Sequence, residues 1–164
     1  MGALIAAAPE ILAATIRMSV PLLLVAIAEL FSERAGLVNI GLDGLMSIGA
    51  LSGFLAGYFT HNPWVGLAAG IAAGILVNMV YAYCTVSLCV DQVVTGMAIN
   101  ILAPAIATFA YKVSFGDSST LVQGTQMATV AIPGLSAIPV IGPALFKQTP
   151  LAYFAYLLVP LSAL

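Results

Sequence analysis

The stretch WVGLAAGIAAGILVNMVYAYCTVSLCV, Trp64 to Val90, contains no Asp, Glu, Lys or Arg. A bilayer's hydrocarbon core is about 30 Å thick and takes about 20 apolar residues of helix, so this run is long enough to cross it. The short THNP segment before it, Thr60 to Pro63, has room only for a tight turn, and on its other side Leu45 to Phe59 is again apolar. Two helices joined this way form an antiparallel hairpin. Further out, Ile11 to Phe31 gives another span, interrupted by Arg17 and Pro21. Gln92 to Tyr111 gives one bounded by Asp91 and Lys112, and Leu151 to Leu164 begins a fifth. The fold class is therefore all-α: a polytopic transmembrane bundle of about five spans.

Composition agrees. Hydrophobic residues make up 62% of the chain and charged residues 6%, against about 25% charged in an average soluble domain. Four Lys and Arg against six Asp and Glu leave no basic face for a phosphate backbone, so nucleic acid is excluded as a partner. No basic residue precedes Arg17, unlike the start of a secretory signal, so the amino terminus is expected to be retained. Cys84 and Cys89 fall on different helical faces and read as two buried free thiols, with no metal or disulfide implied. His61, alone in a polar turn, reads as a solvated loop residue.

Residues 112–150 differ in kind. Pro133, Pro139 and Pro143 would break a spanning helix, so this segment is expected to be a structured extramembrane loop. Its apolar tail, Val130 to Phe146, would then pack over the bundle mouth or dip into the interface.

Lipid gives helices no hydrophobic reason to associate, so small residues that admit close backbone approach mark the packing faces. Gly49, Gly53 and Gly57 recur every four residues, as do Gly66, Gly70 and Gly74. These faces are expected to pack inside one bundle, against each other or along a dimer seam.

Against this apolar background SERAGLVNIGLDGLMSIGA, Ser32 to Ala50, stands out for Glu33, Arg34 and Asp43, with Glu29 one helical turn earlier. A charge at mid-bilayer costs at least about 2.5–3.5 kcal/mol on insertion scales, so these groups must be near an interface, paired, or facing water. Gly36, Gly41 and Gly44 each lower helix propensity by about 1 kcal/mol relative to Ala, so an interrupted or re-entrant segment is expected near 32–44. Such breaks line substrate paths in transporters, with side chains such as Asn39 and Asp43 beside freed backbone. A plain loop at the membrane edge with a surface ion pair fits the same residues. Gln92 and Asn100 form a second polar set; Asn100, like Asn78, reads first as an interhelical hydrogen-bonding amide and second as a cargo contact.

Taken together, PLLLVAIAELFSERAGLVNIGLDGLMSIGA and DQVVTGMAINILA resemble the permease subunits of bacterial ABC importers for nucleosides, simple sugars and, more distantly, branched-chain amino acids. The likeness rests on Pro21 to Leu24, Ser32 to Gly36, Asn39 to Gly41, Asp43 and Gly44, then Gln92, Val93, Gly96 and Asn100, with IPVIGPALF similar to the family's external loop. Asp43 stands where the family more often has Glu. The resemblance implies a multi-pass subunit of the bacterial plasma (inner) membrane that forms part of a translocation path. Glu29, Glu33, Arg34, Asn39, Asp43, Gln92 and Asn100 are the path or gating candidates. Implied partners are a second permease subunit, two cytoplasmic ABC ATPases and an extracytoplasmic substrate-binding protein. ATP and Mg would sit on the ATPases, and this chain itself is expected to bind no cofactor or metal and to catalyse nothing. No Gly-x-x-x-x-Gly-Lys loop or catalytic Ser/His, paired-Asp or Glu-x-x-His pattern is present. Residues 1–164 are expected to be the amino-terminal half of a longer permease domain, with 112–150 its extracytoplasmic loop. The rival reading is a secondary transporter or channel that uses the intramembrane carboxylates as an ion site.

Overall fold

A computed structural model describes residues 2–116, 122–131 and 145–162. Among the described residues there are five α-helices: α1 (Gly2–Arg34), α2 (Leu42–Thr60), α3 (Pro63–Ala82), α4 (Gln92–Phe115) and α5 (Pro150–Ser162). A π-helical turn, Tyr83–Ser87, extends α3, and two short strands, β1 (Val130–Ala131) and β2 (Lys147–Gln148), precede α5. Among the described residues, four stretches are long and apolar enough to cross a membrane: Pro9–Arg34, Leu42–Thr60, Pro63–Ser87 and Gln92–Phe115. The described part of α5 is a 13-residue apolar helix.

The chain divides into two compact units, residues 1–31 with 127–164, and residues 32–126. In the first, α1 runs unbroken through Arg17 and Pro21, contrary to the expected interruption. A proline removes one backbone hydrogen bond, and membrane helices tolerate that loss. Thr15 and Ser19 donate their hydroxyls to the carbonyls of Ile11 and Ile16, so neither leaves a polar group unmet. Val20, Ala152 and Ala155 are buried together, with Leu24 and Tyr156 packed on them. The strands pair antiparallel, Val130 with Gln148 and Ala131 with Lys147, and the Tyr153 hydroxyl donates to the Val130 carbonyl at 2.8 Å. The expected loop at 112–150 is narrower than predicted, because Lys112 lies inside α4 and Pro150 opens α5. Pro133, Pro139 and Pro143, and with them most of the predicted apolar tail, lie outside the described residues.

The second unit holds the hairpin of α2 and α3. Thr60 to Pro63 makes the turn by local chemistry: His61 takes a left-handed conformation (φ 52°) that stops α2. The Asn62 side chain then accepts from the Trp64 amide at 3.0 Å, and Pro63 occupies the first helical position of α3, where its missing N–H costs nothing. The glycine faces meet across this hairpin. A Cβ added at Gly66 would lie 2.6 Å from the Gly53 carbonyl oxygen and 3.2 Å from the Gly57 Cα, and one at Gly70 would lie 3.0 Å from the Gly49 carbonyl. Gly74 is different: nothing lies within 4 Å of an added Cβ, so the close backbone contact ends at Gly49 and Gly70.

After α3 the π turn closes with Leu88 donating to the Tyr83 carbonyl at 3.1 Å. Asp91 then caps α4, accepting from the amides of Val93 and Val94 at 2.9 and 3.0 Å. The cysteines are free, but they are not the buried pair expected: Cys84 is half-buried and Cys89 exposed. A left-handed φ of 52° at Cys89 ends the helical run there, so the face assumed for it does not exist.

Candidate functional site

The break expected near 32–44 is narrower, from residue 35 to 41, and it separates α1 from α2. Gly36 takes φ +83°, a conformation that favours glycine. The start of the break is held locally: Ala35 and Leu37 donate to the Ser32 carbonyl, Gly36 to that of Glu33, and the Ser32 hydroxyl donates to the Leu37 carbonyl at 2.9 Å.

Beyond Leu37 side chains of other helices supply several of the backbone's partners. Val38 is bound at both ends: its amide donates to Gln92 Oε1 of α4 at 2.8 Å, and its carbonyl accepts from the Tyr81 hydroxyl of α3 at 2.8 Å. Asn39, only 4% exposed, accepts from the Gly41 amide at 2.9 Å and donates to Asn78 Oδ1 of α3 at 3.4 Å. Asn100 of α4 uses both halves of its amide. Its nitrogen donates to the Ile40 carbonyl at 2.6 Å, while its oxygen accepts from the Gly44 amide at 2.7 Å. Gly41, the residue capping α2, has no side chain for the task, so Asn100 caps the third residue of α2 from a different helix.

Close approach makes this possible. A Cβ on Gly96 would fall 2.9 Å from the Gly41 nitrogen and 3.2 Å from Ile40, and one on Gly44 would fall 2.6 Å from the Ile99 carbonyl oxygen. Gly44, expected to be unwound, instead lies in the first turn of α2, because the Asn100 cap allows the helix to begin three residues earlier than the Leu45 start expected for this span.

The charged candidates stand apart from this frame. Glu33, Arg34 and Asp43 are exposed, and none of their side chains takes part in the hydrogen bonds that fix the break. Their positions have a simpler electrostatic logic. Arg34 ends α1 and Asp43 lies in the first turn of α2, so each faces the helix pole of opposite sign. Glu29, half-buried, belongs to the other unit with the body of α1. Gln92 and Asn100 are thus committed to backbone, and Asn39 to the Gly41 amide and Asn78. Tyr81, 2% exposed, escaped the sequence reading; the available signal was its position three residues after Asn78, on the same helical face.

A second cluster was also missed. Phe54, Tyr58 and Phe59 of α2 meet Tyr111 and Phe115 of α4, with ring centroids 5.0 Å apart for Tyr58 and Phe115 and 5.1 Å for Tyr111 and Phe115. The i,i+4 spacing of Phe54 with Tyr58 and of Tyr111 with Phe115 was the legible hint.

Membrane-length apolar helices around a helix break that is held by side chains from two other helices define a multi-pass helical membrane protein with a polar centre. The chain belongs to the family described as the permease component of the branched-chain amino acid transport system, whose pattern matches residues 11–160. It is 40% identical over 144 residues to the guanosine ABC transporter permease protein NupQ of Bacillus subtilis, covering 84% of this chain and 45% of that protein. It is 37% identical over 155 residues to the putative glucose ABC transporter permease protein TsgC13 of Haloferax volcanii, covering 93% and 46%. With the nucleoside ABC transporter permease protein NupC of Lactococcus lactis it shares 37% over 151 residues, covering 88% and 47%. The chain spans about half the length of these curated relatives. No solved structure matches it. The family is one of transport components, not enzymes.

Proposed function

We propose that this chain forms part of the translocation path of an ATP-driven importer for nucleosides or simple sugars, as a permease subunit in a bacterial plasma membrane. The observation that carries the reading is the break at residues 35–41: unwound backbone inside a helix bundle, held open by Gln92, Tyr81 and Asn100, in a chain 37–40% identical to permeases named for guanosine, nucleosides and glucose. Broken helices of this kind are tolerated where they face protein or a water-filled cavity. Glu33, Arg34, Asn39 and Asp43 line or gate the path, and Gln92 and Asn100 hold its shape. Glu29 contributes from the body of α1.

The working assembly pairs this subunit with a second permease, two cytoplasmic ATPases that bind ATP and Mg, and an extracytoplasmic binding protein that delivers the cargo. Residues 112–150 face outward and the Cys89 to Gln92 turn inward. Nucleotide-driven closure of the ATPases shifts the permease between outward- and inward-open states.

The test is uptake of labelled guanosine and glucose by cells carrying the intact system. Uptake is expected to stop when ATP is depleted with the proton gradient kept, and to persist when the gradient is collapsed with ATP kept. The reverse pattern overturns the proposal in favour of a secondary transporter built on the same carboxylates.

A further inference from the structure

The cluster of Phe54, Tyr58, Phe59, Tyr111 and Phe115 collects at one end of the second unit, where α2 and α4 finish and α3 begins. Trp64, 60% exposed, and Phe59, 67% exposed, stand on its outer surface, beside the polar turn of His61 and Asn62. The non-helical segment after residue 121 lies on the same end: the Thr125 hydroxyl donates to the Gly57 carbonyl at 3.0 Å, and an added Cβ at Gly124 would fall 2.8 Å from the Phe54 ring. Irregular backbone of this kind does not occur against lipid tails, where its polar groups would go unmet. Tyr and Trp rings gather at the headgroup level, where an amphipathic ring suits both media.

We infer that this aromatic end is the protein's anchor in the headgroup layer of the bilayer, and that Asn78 and Asn100, which hold the Asn39 to Gly44 end of the break, are consequently submerged in the hydrocarbon layer, while Val38, bound to Gln92, reaches the far interface. The depth follows from helix geometry. At about 1.5 Å per residue, Asn78 lies about 21 Å along α3 from Trp64, and Asn100 lies about 17 Å along α4 from Tyr111. Both fall short of the roughly 30 Å that separates the two interfaces. The far interface is reached only where α3 has run on through its π turn to Ser87 and where α4 begins at Gln92, at the turn capped by Asp91. Backbone at the depth of Asn100 is stable only if its polar groups are met by protein, and Asn39 and Asn100 meet those of Ile40, Gly41 and Gly44. Asp43, exposed next to Gly44, whose amide Asn100 holds, then faces water or another subunit and not acyl chains.

Trp64 is the chain's one tryptophan, which makes the test direct. The full chain is reconstituted in phosphatidylcholine vesicles containing lipid brominated near the carbonyl or near the methyl terminus of its acyl chain, and tryptophan fluorescence is recorded. Trp64 is expected to be quenched roughly twofold more strongly by the shallow bromines than by the deep ones. In the double variant Trp64→Phe, Leu76→Trp, the probe moves about 18 Å along α3 to an outward position that is 64% exposed, and the order is expected to reverse. Stronger deep than shallow quenching of Trp64 overturns the inference. So does quenching by aqueous iodide alone, or a probe that no quencher reaches, which would place this end in bulk water or between copies of the protein. The inference rests on the membrane-spanning helices alone, so failure of ATP-dependent uptake leaves it standing.

Discussion

The two contacts that α2 makes in its own unit are built from opposite materials. Toward α3 it presents Gly49, Gly53 and Gly57, and the backbones approach closely enough to touch. Toward α4 it presents its uncapped first turn and the break before it, and amides from Gln92 and Asn100 complete the backbone. The first contact is a rigid clasp, whose energy is close van der Waals packing. The second is a set of directional bonds that hold an irregular shape, and directional bonds can be exchanged one at a time. A transporter needs both: a hairpin that moves as one body, and a joint beside it whose geometry is defined in each state.

The comparison breaks most readily at the clasp. Gly66→Leu drives a side chain into the Gly53 carbonyl 2.6 Å away and the Gly57 backbone beyond it. Backbone cannot rotate aside, so the cost exceeds the ~1–3 kcal/mol typical of overpacking. The hairpin is expected to separate, seen as loss of a thermal transition for the purified chain in detergent.

Asn100→Leu comes next. It removes the partner of the part-buried Gly44 amide, about 1–3 kcal/mol for a group left unmet, and the bond to the exposed Ile40 carbonyl, which costs less because water can replace it. The expected result is a lowered melting temperature with fast hydrogen exchange at Gly44, while exchange in α3 stays unchanged. If α3 loosens equally, clasp and joint are one cooperative unit and the contrast fails. The intact permease should insert normally and lose uptake, because the joint is deformed and the hairpin is not.

Much of this division was legible in the residues. Glycine periodicity identified α2 and α3 as close-packing faces, and Thr60 to Pro63 was read as a tight turn, while its helix stop at His61 and cap at Asn62 came with the structure. The polar residues of the joint were also found, Tyr81 excepted, and Asn78 and Asn100 were read first as interhelical hydrogen-bonding amides, as they are; the groups they meet were not legible. Nothing near Gly41 in sequence predicts that its helix is capped by Asn100, because the partner is 56 residues from Gly44 and only the fold brings them together. The charges were read as path residues or, alternatively, as a surface ion pair; the fold adds that Arg34 and Asp43 sit at helix poles that favour them singly. Pro21 likewise looked like an interruption, although the loss of one hydrogen bond is too small to stop a helix with α5 packed along it.

Smaller substitutions sharpen the joint. Tyr81→Phe removes one donor from the Val38 carbonyl and Gln92→Leu removes one acceptor from the Val38 amide. Each should cost about 1 kcal/mol, and the double variant should show coupling, since both bonds hold the same residue. Additive effects, read from melting temperatures of the two single variants and the double, would mean that the break is pinned at Asn100 alone.

The smallest effect expected tests where the clasp ends. Gly74 continues the sequence pattern of Gly66 and Gly70, yet nothing lies within 4 Å of an added Cβ. If packing decides, Gly74→Ala should not destabilise the chain at all and should gain up to about 1 kcal/mol from helix propensity, whereas Gly66→Ala, with the same propensity gain, should lose stability. Opposite signs for two glycines on one helical face would show that contact, and not periodicity, defines the clasp. A loss at Gly74 comparable to that at Gly66 would instead mean that a second chain covers this position in the assembled protein, extending the clasp into an interface between subunits.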